Sequence, residues 1–200
     1  MRRIFLLAVL ALALPAAVFA SSNIDYTNSG GMLMGSKSGL SVTGSTLIAV
    51  DGPNGLITGS NLGSVSFSTG ALISGSLKKG GEFAGGGSFT ITGNGTNGVP
   101  DGTLFSGTFS GPVIWKMVTL ANGTHSYTLI GTLTGTTGSG YSTVATTVQL
   151  TINTGKGFFN GCVKIASGDT NVVVPEPGTL GLLGTGLIGL AGILRRKIHS

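Results

Sequence analysis

The chain has 200 residues, including 37 glycines, and a formal net charge of +5, with only 8% of its residues charged. Most of that charge lies at the two ends, because residues 21–174 hold six lysines and five acidic residues, a net charge of +1. The body therefore lacks the clustered basic surface of a nucleic-acid-binding protein, and we expect no nucleic-acid partner.

The N-terminus is typical of a secretory signal peptide. Arg2 and Arg3 precede an apolar run of eleven residues, and small residues lie three positions and one position before Ser21. A transmembrane helix needs about 20 apolar residues, so this run is too short to span a bilayer comfortably. We predict a signal peptide over residues 1–20, cleaved between Ala20 and Ser21.

The body alternates apolar and polar residues with a period of two, which indicates half-buried strands. In the stretch 127–134, Tyr127, Leu129 and Leu133 fall on one face and threonines on the other. Asn-Gly and Asp-Gly pairs between such stretches are typical of hairpin turns, and Asn122-Gly123 is predicted to join two strands. We predict an all-β domain over residues 21–166, an antiparallel β-sandwich, with a small antiparallel barrel as the alternative. Residues 21–39 form a loosely held first strand in this interpretation, and residues 167–174 form a linker.

Groups that could support catalysis or bind a metal are sparse. Residues 93–98 match the glycine spacing of a dinucleotide site but are followed by turn and strand residues instead of a helix. The loop 94–101 is poor in carboxylates for calcium, and one histidine with one cysteine gives no zinc spacing. His125 is expected to be exposed beside its turn, and Cys162 to be buried. We predict no catalytic residue, no metal and no cofactor, and therefore no enzyme.

Trp115 is the single tryptophan of the chain. The proposed hairpin places it near Tyr127. If its ring is exposed, it can stack on a sugar, so Trp115 is a candidate ligand contact. In the alternative, which is the commoner role for such a residue, it belongs to the core of the sandwich.

The C-terminus combines a proline-rich motif, an apolar segment and a basic cluster. Residues 178–194 carry no charge, and as a helix they would be about 26 Å long, just short of a typical hydrocarbon core. The motif consists of Pro175, Glu176 and Pro177. The basic cluster consists of Arg195, Arg196 and Lys197, and is expected on the cytoplasmic side. Residues 175–200 are therefore predicted to hold a transmembrane segment.

This order of features resembles the PEP-CTERM sorting signal of Gram-negative bacteria, over Val174 to Lys197. The resemblance implies a precursor tethered in the inner membrane and processed near the motif by an exosortase, a transpeptidase-like membrane protease. Its expected partners are that protease, the export machinery and the inner membrane. Members occur in bacteria that make exopolysaccharide, which is a further expected partner. A plain membrane anchor is the alternative.

The function expected from these features is that of an exported cell-surface or extracellular-matrix protein, associated with biofilm or exopolysaccharide and without catalytic activity. A secreted carbohydrate-binding β-sandwich is the first alternative. A secreted hydrolase, with a site assembled from scattered residues, is the second.

Overall fold

Thirteen β-strands make up the part of the chain that the computed structural model describes, residues 21–175, and no helix occurs within that range. The strands are β1 Ser21–Ser29, β2 Met32–Ser36, β3 Gly39–Gly52, β4 Gly55–Ser68, β5 Leu72–Ser76, β6 Gly80–Phe83, β7 Gly86–Asn94, β8 Asp101–Phe109, β9 Val113–Thr119, β10 His125–Thr137, β11 Thr146–Asn153, β12 Cys162–Lys164 and β13 Ser167–Pro175. The predicted all-β class is confirmed. Residues Asn23–Val174 form one compact unit.

The strands belong to one sheet whose hydrogen-bonded ladder returns to its starting point. From β10 the pairings run through β11, β13, β1, β3, β4, β7 and β8, and β8 pairs with β10 again. The β5–β6 hairpin joins through β9, and β12 joins through β2. The predicted antiparallel arrangement is confirmed in the registered strand pairs, from β1 with β3 to β11 with β13.

Strand β10 shows how the sequence pattern builds the core. Tyr127, Leu129 and Leu133 are buried, whereas Thr132 and Thr134 on the opposite face are exposed. This is the predicted alternation, and it arises because successive side chains of a strand point to opposite faces.

Aromatic rings fill one part of the core. Phe67 stacks on Phe89 with ring centroids 5.6 Å apart, and Phe109 meets both rings edge-on. Phe105 packs against Phe89 from the next strand. Such pairs contribute about 0.5–1.5 kcal/mol each beyond their buried area, so these four side chains fix the packing of β4, β7 and β8.

The predicted hairpin at Asn122-Gly123 is confirmed, since β9 pairs with β10 and His125 lies opposite Thr119. Gly123 has a φ of 77°, which is the left-handed conformation that glycine adopts without steric cost. The Asn122 side chain accepts a hydrogen bond from the amide of Thr124 at 3.0 Å. The glycine therefore supplies the backbone turn, and the asparagine stabilises it through its side chain.

The structure places strands in two segments, residues 21–39 and 167–174, that were predicted as a loosely held first strand and a linker. Residues 167–174, predicted as a linker, form strand β13 instead, paired with β11 on one side and adjacent to β1 on the other. Thr170, Val172 and Val174 point inward and are almost completely buried, which gives the strand a firm hold on the core. Residues 21–39 hold the two strands β1 and β2.

Among residues 21–175 no helix is long and apolar enough to cross a membrane. The predicted signal peptide and the predicted C-terminal sorting helix both lie outside the described residues.

Candidate functional site

The sorting motif begins where the last strand of the domain ends. Strand β13 runs to Pro175, the first residue of the motif, with Val172 and Val174 buried just before it. Glu176, Pro177 and the basic cluster at residues 195–197 lie outside the described residues, as does Ala20. No spacer therefore separates the folded strand from the motif along the chain.

The chain enters and leaves the compact unit on neighbouring strands. Strand β1 lies next to β13, and the backbone of Gly168 near the start of β13 lies against the side chain of Asn28 near the end of β1. The two strands therefore run in opposite directions. Asn23 and Val174, the first and last residues of the unit, consequently lie at the same end of this strand pair.

Trp115, the candidate ligand contact, is buried in the core and only 1% exposed. Its ring stacks on Tyr127 with centroids 5.0 Å apart and packs edge-on against Phe159. Its Nε1 donates a hydrogen bond to the carbonyl of Leu77 at 2.9 Å. The ring therefore has no exposed face for a sugar. Trp115 is a core residue, which is the alternative that the sequence analysis gave.

Tyr127 extends the same arrangement. Its hydroxyl donates to the carbonyl of Lys78 at 2.7 Å and accepts from the amide of Phe159 at 3.0 Å. Two core rings thus donate hydrogen bonds to two carbonyls, those of Leu77 and Lys78, in the turn between β5 and β6.

His125 is buried, contrary to the expectation of an exposed hairpin residue. Its ring stacks on Phe158 with centroids 4.5 Å apart, and its Nδ1 lies 3.0 Å from the hydroxyl of Thr119. The loop after β11 covers the ring, and local sequence around the turn does not reveal such a long-range contact.

Cys162 is exposed, which corrects the expectation of burial. It opens the short strand β12, where it lies directly opposite Met34 of β2. Met34 is itself 52% exposed. The thiol therefore lies on the outer face of this strand pair.

Three acidic side chains that are far apart in sequence come together on the outer surface. Asp25 lies opposite Asp51 across the β1–β3 ladder. Asp25 and Asp169 line one groove of about 280 Å³. Partial burial raises the pKa of the Asp25 carboxyl, and the nearby negative charges of Asp169 and Asp51 raise it further. Glycoside hydrolysis uses a pair of carboxyls, and Asp25 and Asp169 are two carboxyls that line one groove.

A larger groove of about 490 Å³ is lined mainly by apolar side chains. Ile24, Val50 and Leu104 line it together with Tyr26, whose pKa is raised by burial to about 12. Asp101 is the one carboxylate of its lining. A phenol with that pKa stays protonated at neutral pH, so this groove offers one carboxylate and no second base.

The loop 94–101, considered for calcium, uses its oxygens within the turn. The Asn94 side-chain oxygen accepts hydrogen bonds from the amide and hydroxyl of Thr96, at 3.2 and 2.6 Å. Over residues 21–175, no group of three or more His, Cys, Asp and Glu side chains is placed to hold a metal ion.

The outer side of β4, β7, β8 and β10 carries a continuous array of hydroxyl groups, here called the hydroxyl face. Its residues share uncharged side chains that point away from the core, and they are Ser64, Ser66, Ser68, Ser88, Thr90, Thr92, Ser106, Thr108, Thr132, Thr134 and Thr136. One row crosses four strands in register, from Ser66 through Thr90 and Ser106 to Thr136. Neighbouring hydroxyls in such a row lie on strands about 4.8 Å apart.

The sequence did not reveal this face, because it depends on strand order. Each strand contributes a short Ser/Thr alternation, as in Thr132, Thr134 and Thr136 of β10. Pairing of β7 with both β4 and β8 brings these alternations side by side. The register of these strand pairs therefore places four short Ser/Thr alternations side by side on one surface.

Comparison with known proteins identifies the C-terminal tail. Residues 173–197 match the family model of the PEP-CTERM protein-sorting motif, which confirms the predicted sorting motif. The match overlaps the last three residues of β13. No curated protein and no solved structure matches the chain significantly. The chain is therefore an exported, sorted protein, and its motif implies processing by an exosortase, a membrane protease.

Proposed function

We propose that this protein is a non-catalytic component of the cell surface or extracellular matrix, associated with exopolysaccharide. The observation that carries the proposal is the PEP-CTERM motif over residues 173–197. The precursor is held in the inner membrane by its C-terminal segment until the exosortase acts. The mature domain then remains at the surface or in the matrix.

The continuity of β13 with the motif supports this function. Processing after Pro175 leaves Val172 and Val174, the buried anchors of β13, within the domain. Every strand that the structure describes is thus retained in the processed domain. Removal of the tail at this position costs the domain no buried side chain among the residues that the structure describes.

The test is intact mass measurement and C-terminal peptide mapping of protein from outer-surface and inner-membrane fractions. We expect a surface form that starts at Ser21 and ends near Pro175 to Pro177. A strain without exosortase is the control, and it should retain the tail through Ser200. The tail intact through Ser200 and confined to the inner membrane of the wild-type strain would contradict the proposal.

Carbohydrate binding is the second candidate function, and the hydroxyl face favours it. The face is uncharged, so it suits a neutral polysaccharide better than an anionic one. Each hydroxyl both donates and accepts hydrogen bonds, as sugar hydroxyls do. Trp115 takes no part in this version, because its ring is buried.

Affinity electrophoresis in gels containing neutral or acidic polysaccharides tests this second function. We expect neutral polymers to retard the protein, and retardation to fall when Thr108, Thr134 and Thr136 are all replaced by valine. Thr43→Val is the matched control, since Thr43 is exposed on β3 outside the hydroxyl face. Equal retardation of the triple variant and the control would exclude the face as the binding surface.

A further inference from the structure

Strands β2 and β12 bring three sulfur-containing side chains to one surface. Cys162 lies directly opposite Met34 in this ladder, and Lys164 lies opposite Met32. Side chains directly opposite one another have Cβ atoms about 4.5–5.5 Å apart. Met32 is two residues from Met34 on the same face and is diagonal to Cys162. Such diagonal neighbours are about 7–8 Å apart, still within reach of long side chains.

All three side chains point away from the core. Met34 is 52% exposed and Met32 is 40% exposed, whereas Leu33 between them is completely buried. Cys162 is exposed as well. Methionine is usually buried, so two exposed methionines beside an exposed free thiol are an unusual concentration of soft ligands.

We propose that Met32, Met34 and Cys162 bind one soft monovalent metal ion of the Cu(I) class. Thiolate and thioether ligands select Cu(I), whereas carboxylate and carbonyl ligands suit magnesium and calcium. The thiol of Cys162 releases its proton to solvent when the Cu–S bond forms, and the copper stays in the +1 state. The two thioethers have no proton to release.

The composition of the two strands favours a soft ion over a hard one. Neither β2 nor β12 carries a carboxylate, and Lys164 is the one charged residue in them. The Cys162 thiolate cancels the charge of the bound Cu(I), so the occupied site is neutral. The exposed ammonium of Lys164 therefore opposes a divalent ion more than it opposes this neutral complex.

Flexibility allows the three sulfurs to converge. Methionine is unbranched and has three rotatable bonds, so its thioether reaches a point between strands without moving the backbone. The main chain is held by β2 pairing with both β12 and β3. A rigid ladder thus positions mobile soft ligands, and this site uses no residue of the hydroxyl face or the sorting motif.

The test is a titration of the purified full chain with Cu(I) in competition with a chromogenic Cu(I) chelator, under anaerobic and reducing conditions. We expect one Cu(I) per chain. Removal of even an indirect partner of a metal site commonly costs 10–100-fold, so Met34→Leu and Cys162→Ser should each weaken binding by at least about tenfold. Met32→Leu should weaken it as well.

The matched control is Met117→Leu, since Met117 lies on β9 outside this ladder. Its affinity should equal that of the unaltered chain, and circular dichroism should show the same fold for all variants. Unchanged binding in both Met32→Leu and Met34→Leu would overturn the proposal, because the thiol alone would then hold the ion. One ion shared by two chains would also overturn it.

Discussion

The indole of Trp115 and the phenol of Tyr127 stack with centroids 5.0 Å apart, and both rings donate hydrogen bonds to one turn, at the carbonyls of Leu77 and Lys78. The β5–β6 hairpin pairs with the rest of the sheet through three positions of β9. These two side-chain hydrogen bonds therefore attach the hairpin directly to the core, in addition to its backbone hydrogen bonds with β9 and from Leu72 to Lys37.

Tyr127→Phe should destabilise the domain by about 1–3 kcal/mol, because the change leaves buried groups without a partner. The lost hydroxyl bonds both the Lys78 carbonyl and the Phe159 amide. Urea denaturation followed by tryptophan fluorescence measures the loss. Tyr141→Phe is the control, since Tyr141 is 47% exposed, and its free energy of unfolding should match that of the unaltered protein. Equal stability of the two variants would show that the hydrogen bonds contribute nothing measurable.

Strand β13 should be indispensable for folding. A chain that ends after Val174 retains the buried side chains of Thr170, Val172 and Val174. A chain that ends at Ala166 lacks these three side chains. We expect cooperative thermal unfolding of the longer chain and none of the shorter one, as measured by circular dichroism. Cooperative unfolding of the shorter chain at a similar temperature would mean that residues 167–174 act as a linker after all.

The Asp25 carboxyl should make the domain less stable as the pH rises from acid to neutral. Its pKa in the folded protein is raised above the ordinary value of 3.8, by burial first and by Asp169 and Asp51 next. The folded state therefore keeps this proton at a pH where the unfolded chain has released it. The stabilisation is complete below pH 3.8 and is lost as the pH rises through the folded pKa.

Asp25→Asn removes this titration, so the variant should be more stable than the unaltered protein at pH 7 and lose that advantage near pH 3.5. Urea denaturation at both values measures the difference. Asp101→Asn, at the exposed first residue of β8, is the control. A polysaccharide hydrolysis screen on Asp25→Asn, Asp169→Asn and the control tests whether the two carboxyls that line this groove act in catalysis. Hydrolysis that depends on both Asp25 and Asp169 would make the protein an enzyme and contradict a purely electrostatic role.

Gly131→Ala should destabilise the domain by about 1–3 kcal/mol through overpacking. An added methyl group would lie 2.6 Å from the ring of Phe109, which is held by Phe67 and Phe89. In Gly111→Ala the nearest atom, the hydroxyl oxygen of Thr132, is 3.9 Å away, so that variant should be close to neutral. Thermal unfolding of the pair gives the comparison. Similar melting temperatures would show that the Phe109 ring moves aside without cost.

The class of fold could be predicted because alternation is a local property. Each inward residue of β10 is visible in the sequence as every second position, and Gly123 marks its turn. The same alternation was present in Thr170, Val172 and Val174, but adjacent valines at 172–174 and the nearby prolines obscured it. The linker prediction failed for this reason.

The surfaces could not be predicted, because they depend on which strands are neighbours. The burial of His125 depends on Phe158, 33 positions along the chain, and the exposure of Cys162 depends on the orientation of β12 beside β2. The Asp25–Asp51–Asp169 cluster likewise requires β1 to lie between β3 and β13. The C-terminal sorting motif could be predicted because it is recognised from consecutive residues of the sequence, without reference to the fold.

Strands β1 and β13, the first and last of the domain, are neighbours in the sheet, so the sheet is completed only after the whole domain has been exported. Strand β1 crosses the membrane early, yet one of its edges has no neighbour until β13, the last strand, has followed. Contacts between such distant segments form slowly, and an unpaired edge is liable to join another chain in the meantime. Under the function proposed above, a cut beyond β13 releases the domain only after every strand that completes the sheet has been exported.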